Sequence, residues 1–309
     1  MKKILYFFLL SALALFIGCK SATAPKEPIK ALIVTGQNNH NWQVSHVALQ
    51  KTLENSGLFQ VDLAVSPKSG EDMSSFILDF SKYGVVVLDY NGDNWPQQTN
   101  DNFLKYVNDG GGVIIVHAAD NAFREWTEFQ KVLALGGWGN RNETDGPYVY
   151  LKEGVIFKDT VAGPGGSHGA GHEYVLDVYD AEHPITKVLP AHWKHAHDEL
   201  YDRMRGPANI KSLLYTAFSD ESTGGTGRSE PLIFTVDYGK GRIMHTMLGH
   251  PGESLQNNTA MQCTGFQVSL LMGAEWAATG EVTQTLPADF PTADKVSLRP
   301  DYKAPAPAQ

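Results

Sequence analysis

Gly111-Gly-Val-Ile-Ile-Val-His-Ala-Ala-Asp120 sets four β-branched apolar residues between a glycine run and a histidine. A continuous apolar run of this length reads as a strand, Val113–His117, buried on both faces. Upstream, Phe103, Leu104 and Val107 mark a helix that Gly110-Gly-Gly112 stops, and a further helix is expected around Trp126–Leu135. Ala31-Leu-Ile-Val-Thr35 and Val85-Val-Val-Leu-Asp89 repeat the apolar run, and Gln60–Val65 alternates as one more strand. Val44, Val47, Ala48 and Leu53 recur at helical spacing between the first two, up to Gly57. Strands alternating with helices, each strand apolar throughout, predict an α/β fold with a parallel sheet covered on both faces. Ligands of such folds bind beyond the carboxyl ends of the strands. The loops after Thr35, Asp89 and Val116 are therefore the first places to look for chemistry.

The second half is less regular. Gly163-Pro-Gly-Gly-Ser-His-Gly-Ala-Gly-His172 is a glycine-rich loop, and strands are expected at Tyr174–Val178, Ser212–Ala217, Leu232–Val236 and Ile243–Leu248. Phe266, Leu270, Gly273, Ala274 and Ala277 define a last helix. No internal repeat or composition break divides residues 30–280, so they form one domain, followed by a Pro-rich tail over 281–309.

The chain has 309 residues, a formal net charge of −9, 42% hydrophobic and 19% charged residues. That composition is globular, and its acidity excludes nucleic acid as a partner, because a phosphate backbone needs a basic stripe. Lys2 and Lys3 precede an apolar run from Ile4 to Ile17, then Gly18-Cys19. Residues 1–18 read as an export signal, and Phe16-Ile-Gly-Cys19 resembles the lipobox of bacterial lipoproteins. Cleavage there leaves Cys19 lipidated, with residues 19–29 as a flexible tether. The expected protein is exported and held at the membrane by that lipid alone, since no later segment reaches the ~20 apolar residues of a membrane helix. The other cysteine, Cys263, is read as a buried structural thiol.

Histidine carries the chemistry, with 11 in the chain. His117 ends the expected central strand, where an imidazole can act as base, electrophile or metal ligand. His168 and His172 form an i, i+4 pair interrupted by glycines, with one of the two expected to be functional. In Trp193-Lys-His-Ala-His-Asp-Glu-Leu-Tyr201, extended chain would put His195, His197 and Glu199 on one face. His250 follows the strand Ile243–Leu248, and His245 inside it reads as core. Walker A, Gly-x-Ser-x-Gly and dinucleotide-binding signatures are missing, and two cysteines cannot build a zinc ribbon.

Four segments in order, Gly111–Asp120, His183-Pro-Ile-Thr-Lys-Val-Leu-Pro190, Asp198-Glu-Leu-Tyr201 and Tyr238-Gly-Lys-Gly-Arg-Ile-Met-His-Thr-Met-Leu-Gly-His250, resemble the trehalose-utilisation (ThuA-like) family. The resemblance runs from about Lys30 to Gly280, and Ser-His-Gly-Ala-Gly-His with Trp-Lys-His-Ala-His is similar to a secreted branch. It implies a flavodoxin-like fold similar to class I glutamine amidotransferases. Those enzymes carry a nucleophilic Cys at the strand-end elbow; here that segment reads Val-His117-Ala, so glutaminase chemistry does not carry over. The family is associated with disaccharide use and 3-keto sugars. Two functions stay open: a sugar-active enzyme, or a non-catalytic carbohydrate-binding lipoprotein. For the enzyme, His117, His197, Glu199 and His250 are the expected catalytic groups. His40, Trp42, Asp120 and Tyr201 are expected to bind the sugar, with Trp95 as a further aromatic platform. His117, His172 and His197 form the candidate set for a divalent metal such as zinc.

Overall fold

The computed structural model describes residues 27–304, so the expected export signal, Cys19 and most of the expected tether lie outside the described residues. In chain order, β1 (Ile29–Thr35), α1 (Trp42–Glu54), β2 (Phe59–Val65), β3 (Val85–Leu88), α2 (Gln97–Asn108), β4 (Gly112–Val116) and α3 (Thr127–Leu133) alternate as the sequence predicts. Then come the hairpin β5 (Tyr148–Lys152) and β6 (Val155–Asp159), the short β7 (Ser167–His168), β8 (His172–Val178), β9 (His192–Asp198) and β10 (Tyr201–Asp202). β11 (Ile210–Ser219), β12 (Arg228–Val236), β13 (Arg242–Thr246), α4 (Thr259–Gln262) and α5 (Thr264–Thr279) follow.

One sheet organises the domain in the order β2-β1-β3-β4-β13-β12-β11-β8-β9, with the β5–β6 hairpin paired to β12. From β2 to β13 every pairing is parallel, which is the flavodoxin-like 2-1-3-4-5 order. The expected parallel sheet forms the core, and beyond β13 antiparallel pairings extend it into a mixed sheet. The cause lies in the connections. Only residues 237–241 separate β12 from β13, and a parallel partner needs a crossover of about a dozen residues or more.

β4 is central and buried along its whole length. α5 lies so close over it that a Cβ on Gly112 would meet the Ala277 carbonyl oxygen at 2.4 Å. Ile114 reaches the same helix, and the alternate residues Val113 and Ile115 are as fully buried on the other face. Each such side chain contributes about 1.5–3 kcal/mol relative to exposure. Residues 281–304 form no regular element but lie against the domain. Arg299 makes two hydrogen bonds to Asp289, at 2.8 and 2.7 Å, and Tyr302 is buried. No helix of the described residues is long and apolar enough to cross a membrane.

Candidate functional site

His117 follows directly on β4, where the chain leaves the sheet in a 3₁₀ turn. Its φ of +45° is strained for a residue with a Cβ, and such strain persists where surrounding contacts fix it. The contacts are plain: Nδ1 lies 2.7 Å from the Met247 carbonyl oxygen after β13, and Nε2 lies 2.8 Å from the Tyr201 hydroxyl. A carbonyl only accepts, so the contact with Met247 puts a proton on Nδ1. The Tyr201 ring stacks on the imidazole at 4.3 Å. Burial, with Asp120, Glu199 and Asp198 nearby, holds the Tyr201 phenol well above its ordinary pKa, so it remains a proton donor.

Glu199 stands opposite. Its Oε2 lies 3.6 Å from His117 Nε2, 3.1 Å from His250 Nδ1 and 3.9 Å from His40 Nε2. Oε1 lies 3.6 Å from His168 Nε2. Burial works to raise the Glu199 pKa, but His117 and His250 hold the carboxyl far below its usual range, so it is ionised. Burial, reinforced by His117 and His250, pushes His40 down to about 3, leaving that imidazole neutral. Burial also opposes charge on His250, and the Glu199 carboxylate overrides it and raises the pKa.

Asp198 builds this arrangement from below. Its Oδ1 accepts from the backbone N–H of Glu199 at 2.8 Å and of His250 at 3.2 Å. Oδ2 accepts from the Gly249 N–H and lies 2.8 Å from His195 Nε2. Burial disfavours charge on both members of this pair. Cys263 and Asp198 nevertheless raise His195 to about 10, and His195 pulls Asp198 below its usual range. Asp198, paired with His195 inside β9, thus ties β9 to the loop after β13 through the Gly249 and His250 N–H groups.

Sequence reasoning located several of these groups and misplaced others. His117, Glu199, His250, His40 and Tyr201 converge. His197 does not join His195 and Glu199 on one face, because the register of β9 against β8 shifts between His172/Asp198 and Tyr174/His195. That extra residue breaks the period-two alternation, turning Asp198 toward His195 and leaving His197 exposed. His197 lines an adjoining cavity on the other side of Glu199. His172 heads β8 with Nδ1 on the Ala170 carbonyl, outside the cluster, and its loop partner His168 is the one beside Glu199. The expected metal trio is therefore corrected: only His117 of the three belongs to the group His40, His117, Glu199 and His250, whose donor atoms lie within 4.8 Å of one another. Trp42, the first residue of α1, lines a neighbouring cavity with Asn39 and Asn91. Asp120 is fully buried, without access to a ligand, and Trp95 sits in the aromatic core with Phe80 and Phe103. His245 is core as expected, and so is Cys263.

A cavity of about 390 Å³ opens over the cluster. His40, His168, Glu199 and Tyr201 line it, together with Trp138 and the amides of Asn39, Asn91 and Asn121. Trp138 packs edge-on against Tyr201 at 4.5 Å and has a φ of +51°. Nothing in its Gly-Gly-Trp-Gly context signalled this role. Asp198 and His168 sat inside segments already singled out, but spacing alone could not rank them above their neighbours. The site lies where the loops after β1, β3, β4 and β13 meet, at the carboxyl edge of the parallel strands.

Residues 30–277 match the model of the trehalose-utilisation family, ThuA. A ThuA-like protein from Parabacteroides merdae is 65% identical, with a TM-score of 0.90, covering 90% of this chain and 100% of that one. A ThuA-like protein from Bacteroides uniformis shares the fold at 20% identity, with a TM-score of 0.51, covering 86% of this chain and 97% of that one. No protein of curated function matches the sequence. The chain belongs to the trehalose-utilisation, ThuA-like family, which implies a role in carbohydrate utilisation.

Proposed function

We propose that this protein is an enzyme that performs proton-transfer chemistry on a glycoside or 3-keto sugar held in the cavity over His117. The observation that carries the reading is the convergence of His40, His117, Glu199 and His250 beside a pocket of small-molecule size. Recognition of a sugar needs amides and aromatic faces, which Asn39, Asn91, Asn121 and Trp138 supply. It does not need three imidazoles around a carboxylate. Opposed acid and base character does account for them.

The roles follow from the charges. Glu199, ionised beside the cavity, is placed to accept a proton next to a sugar carbonyl through Oε1, the oxygen on the His168 side. Tyr201, kept protonated and hydrogen-bonded to His117 Nε2, is the donor to a developing or departing oxygen. His168 at Glu199 Oε1 positions that carboxylate from the open side. The basic, apolar leader and Cys19 support the further reading that the enzyme works outside the cytoplasm on a lipid tether.

The test is turnover of a panel of glycosides and 3-keto glycosides by wild type and Glu199→Gln. Wild type should act on at least one member, and the variant should lose on the order of 10²–10⁴ in kcat. Binding without turnover by wild type would replace this reading with that of a carbohydrate-binding lipoprotein.

A further inference from the structure

We infer that His40, His117, His250 and Glu199 hold one first-row divalent transition-metal ion, with zinc as the reference ion. The inference deepens the sugar-enzyme reading by adding a Lewis acid to its cavity, although the metal site itself stands on geometry alone.

Distance is the first argument. Four donor atoms from four separate loops lie within 4.8 Å of one another. Glu199 Oε2 is 3.1, 3.6 and 3.9 Å from nitrogens of His250, His117 and His40. A tetrahedral shell with bonds of 2.0–2.2 Å sets its donors about 3.3–3.6 Å apart. Only small side-chain adjustments separate the observed set from that shell.

Unused hydrogen-bonding capacity is the second. His250 Nδ1 is buried and forms no hydrogen bond, even with the carboxylate oxygen 3.1 Å away. His40 Nδ1 is likewise buried without a partner. Buried imidazole nitrogens are ordinarily satisfied, so the orphan Nδ1 of His250, which faces Glu199, points to a missing partner; on His40 it is Nε2 that faces Glu199. Three rings with centroids 4.6–5.4 Å apart around one carboxylate bring lone pairs together rather than donor–acceptor pairs.

The surroundings are the third. Metal-bound histidines typically donate their other ring nitrogen to a carbonyl or carboxylate, which fixes the tautomer. His117 does so through Nδ1 to Met247. The backbones of Glu199 and His250 are both pinned by buried Asp198. Three nitrogens and one oxygen favour zinc-class ions over magnesium or calcium, which take oxygen shells. An ion on His117 Nε2 would displace the Tyr201 hydroxyl from it, turning that donor toward the sugar cavity.

The experiment uses protein purified without a polyhistidine tag and stripped with a chelator. Zinc binding is measured by titration against a chromophoric chelator, and cobalt(II) is added separately to read its visible absorption. Wild type should take up one zinc per chain, melt at higher temperature with zinc, and give an intense low-symmetry cobalt spectrum. His250→Ala and Glu199→Gln should each weaken zinc binding by at least about 100-fold, and His172→Ala should leave it unchanged. Absence of stoichiometric zinc and of a cobalt spectrum in wild type, which needs no variant to fold, overturns the inference. So does tight zinc binding that survives both ligand substitutions in folded protein. One zinc bound at these residues with no sugar turned over upholds the site and refutes the catalytic reading instead.

Discussion

Removing the Asp198 carboxylate should do more damage than removing any histidine it supports. Four donors point at its two oxygens: the backbone N–H groups of Glu199, Gly249 and His250, and Nε2 of the His195 ring. Asp198→Ala strands all four in a site closed to water and leaves the His195 charge without its carboxylate. Breaking a buried pair in this way costs about 3–5 kcal/mol. Asp198→Asn is the informative comparison. An amide oxygen in the Oδ1 position keeps the Glu199 and His250 bonds. The amide NH₂ then faces Gly249 N–H and His195, and leaves at least one donor unpaired for about 1–3 kcal/mol. Urea unfolding with parallel thermal melts reads both, at roughly 2–4 °C in Tm per kcal/mol for a domain of this class. The order should be wild type, then Asn, then Ala. An alanine variant within about 0.5 kcal/mol of wild type would refute the argument that Asp198 holds the two loops together.

Three further outcomes are expected. Burial pushes Asp89 up to about 7 against hydrogen bonds from Ser45, Thr35 and Asn38. It therefore stays protonated in the folded chain while the unfolded chain ionises, so its contribution falls as pH rises from about 4 to 7, by up to ~1.4 kcal/mol per unit. Asp89→Asn should grow more stable relative to wild type across that window, and an offset independent of pH would contradict the assignment. His168→Ala should weaken kcat/KM for the active sugar roughly 5–10-fold, equivalent to about 1–1.4 kcal/mol, while His172→Ala should not; equal losses would mean the two loop histidines were assigned wrongly. Cys19→Ser should release the protein from the membrane fraction or stall its processing, whereas unchanged attachment of a processed variant rules out the lipid tether.

The parallel half of the sheet was legible because burial on both faces writes itself as an unbroken apolar run. Val113–Val116 is such a run, and its position fixes His117 at the carboxyl edge. The antiparallel half was not, since direction depends on connection length and partner choice rather than on the composition of β11 or β12. His250 was found as a polar residue at a strand end, and Glu199 through its spacing from His195 and His197. His197 was misjudged because one bulge in β9 reverses every later side chain, and no residue in Trp193–Tyr201 marks it. Asp120 and Trp95 looked like site residues because they neighbour loops rich in chemistry. The fold spends both on the interior, and that depends on packing distant in sequence. Trp138 was unreadable for the opposite reason: its exposure at the cavity comes from a left-handed turn in a loop without periodicity.

A crystal structure of Glu199→Gln with a sugar that wild type turns over is the most direct measurement. The account predicts the ring in the cavity lined by Trp138, Asn91 and Asn121, with one sugar oxygen within about 3.2 Å of Tyr201 Oη or His117 Nε2. The proton to be removed should lie toward position 199. A sugar bound only in the neighbouring cavity beside Trp42, or with no oxygen near Tyr201 and His117, would contradict it.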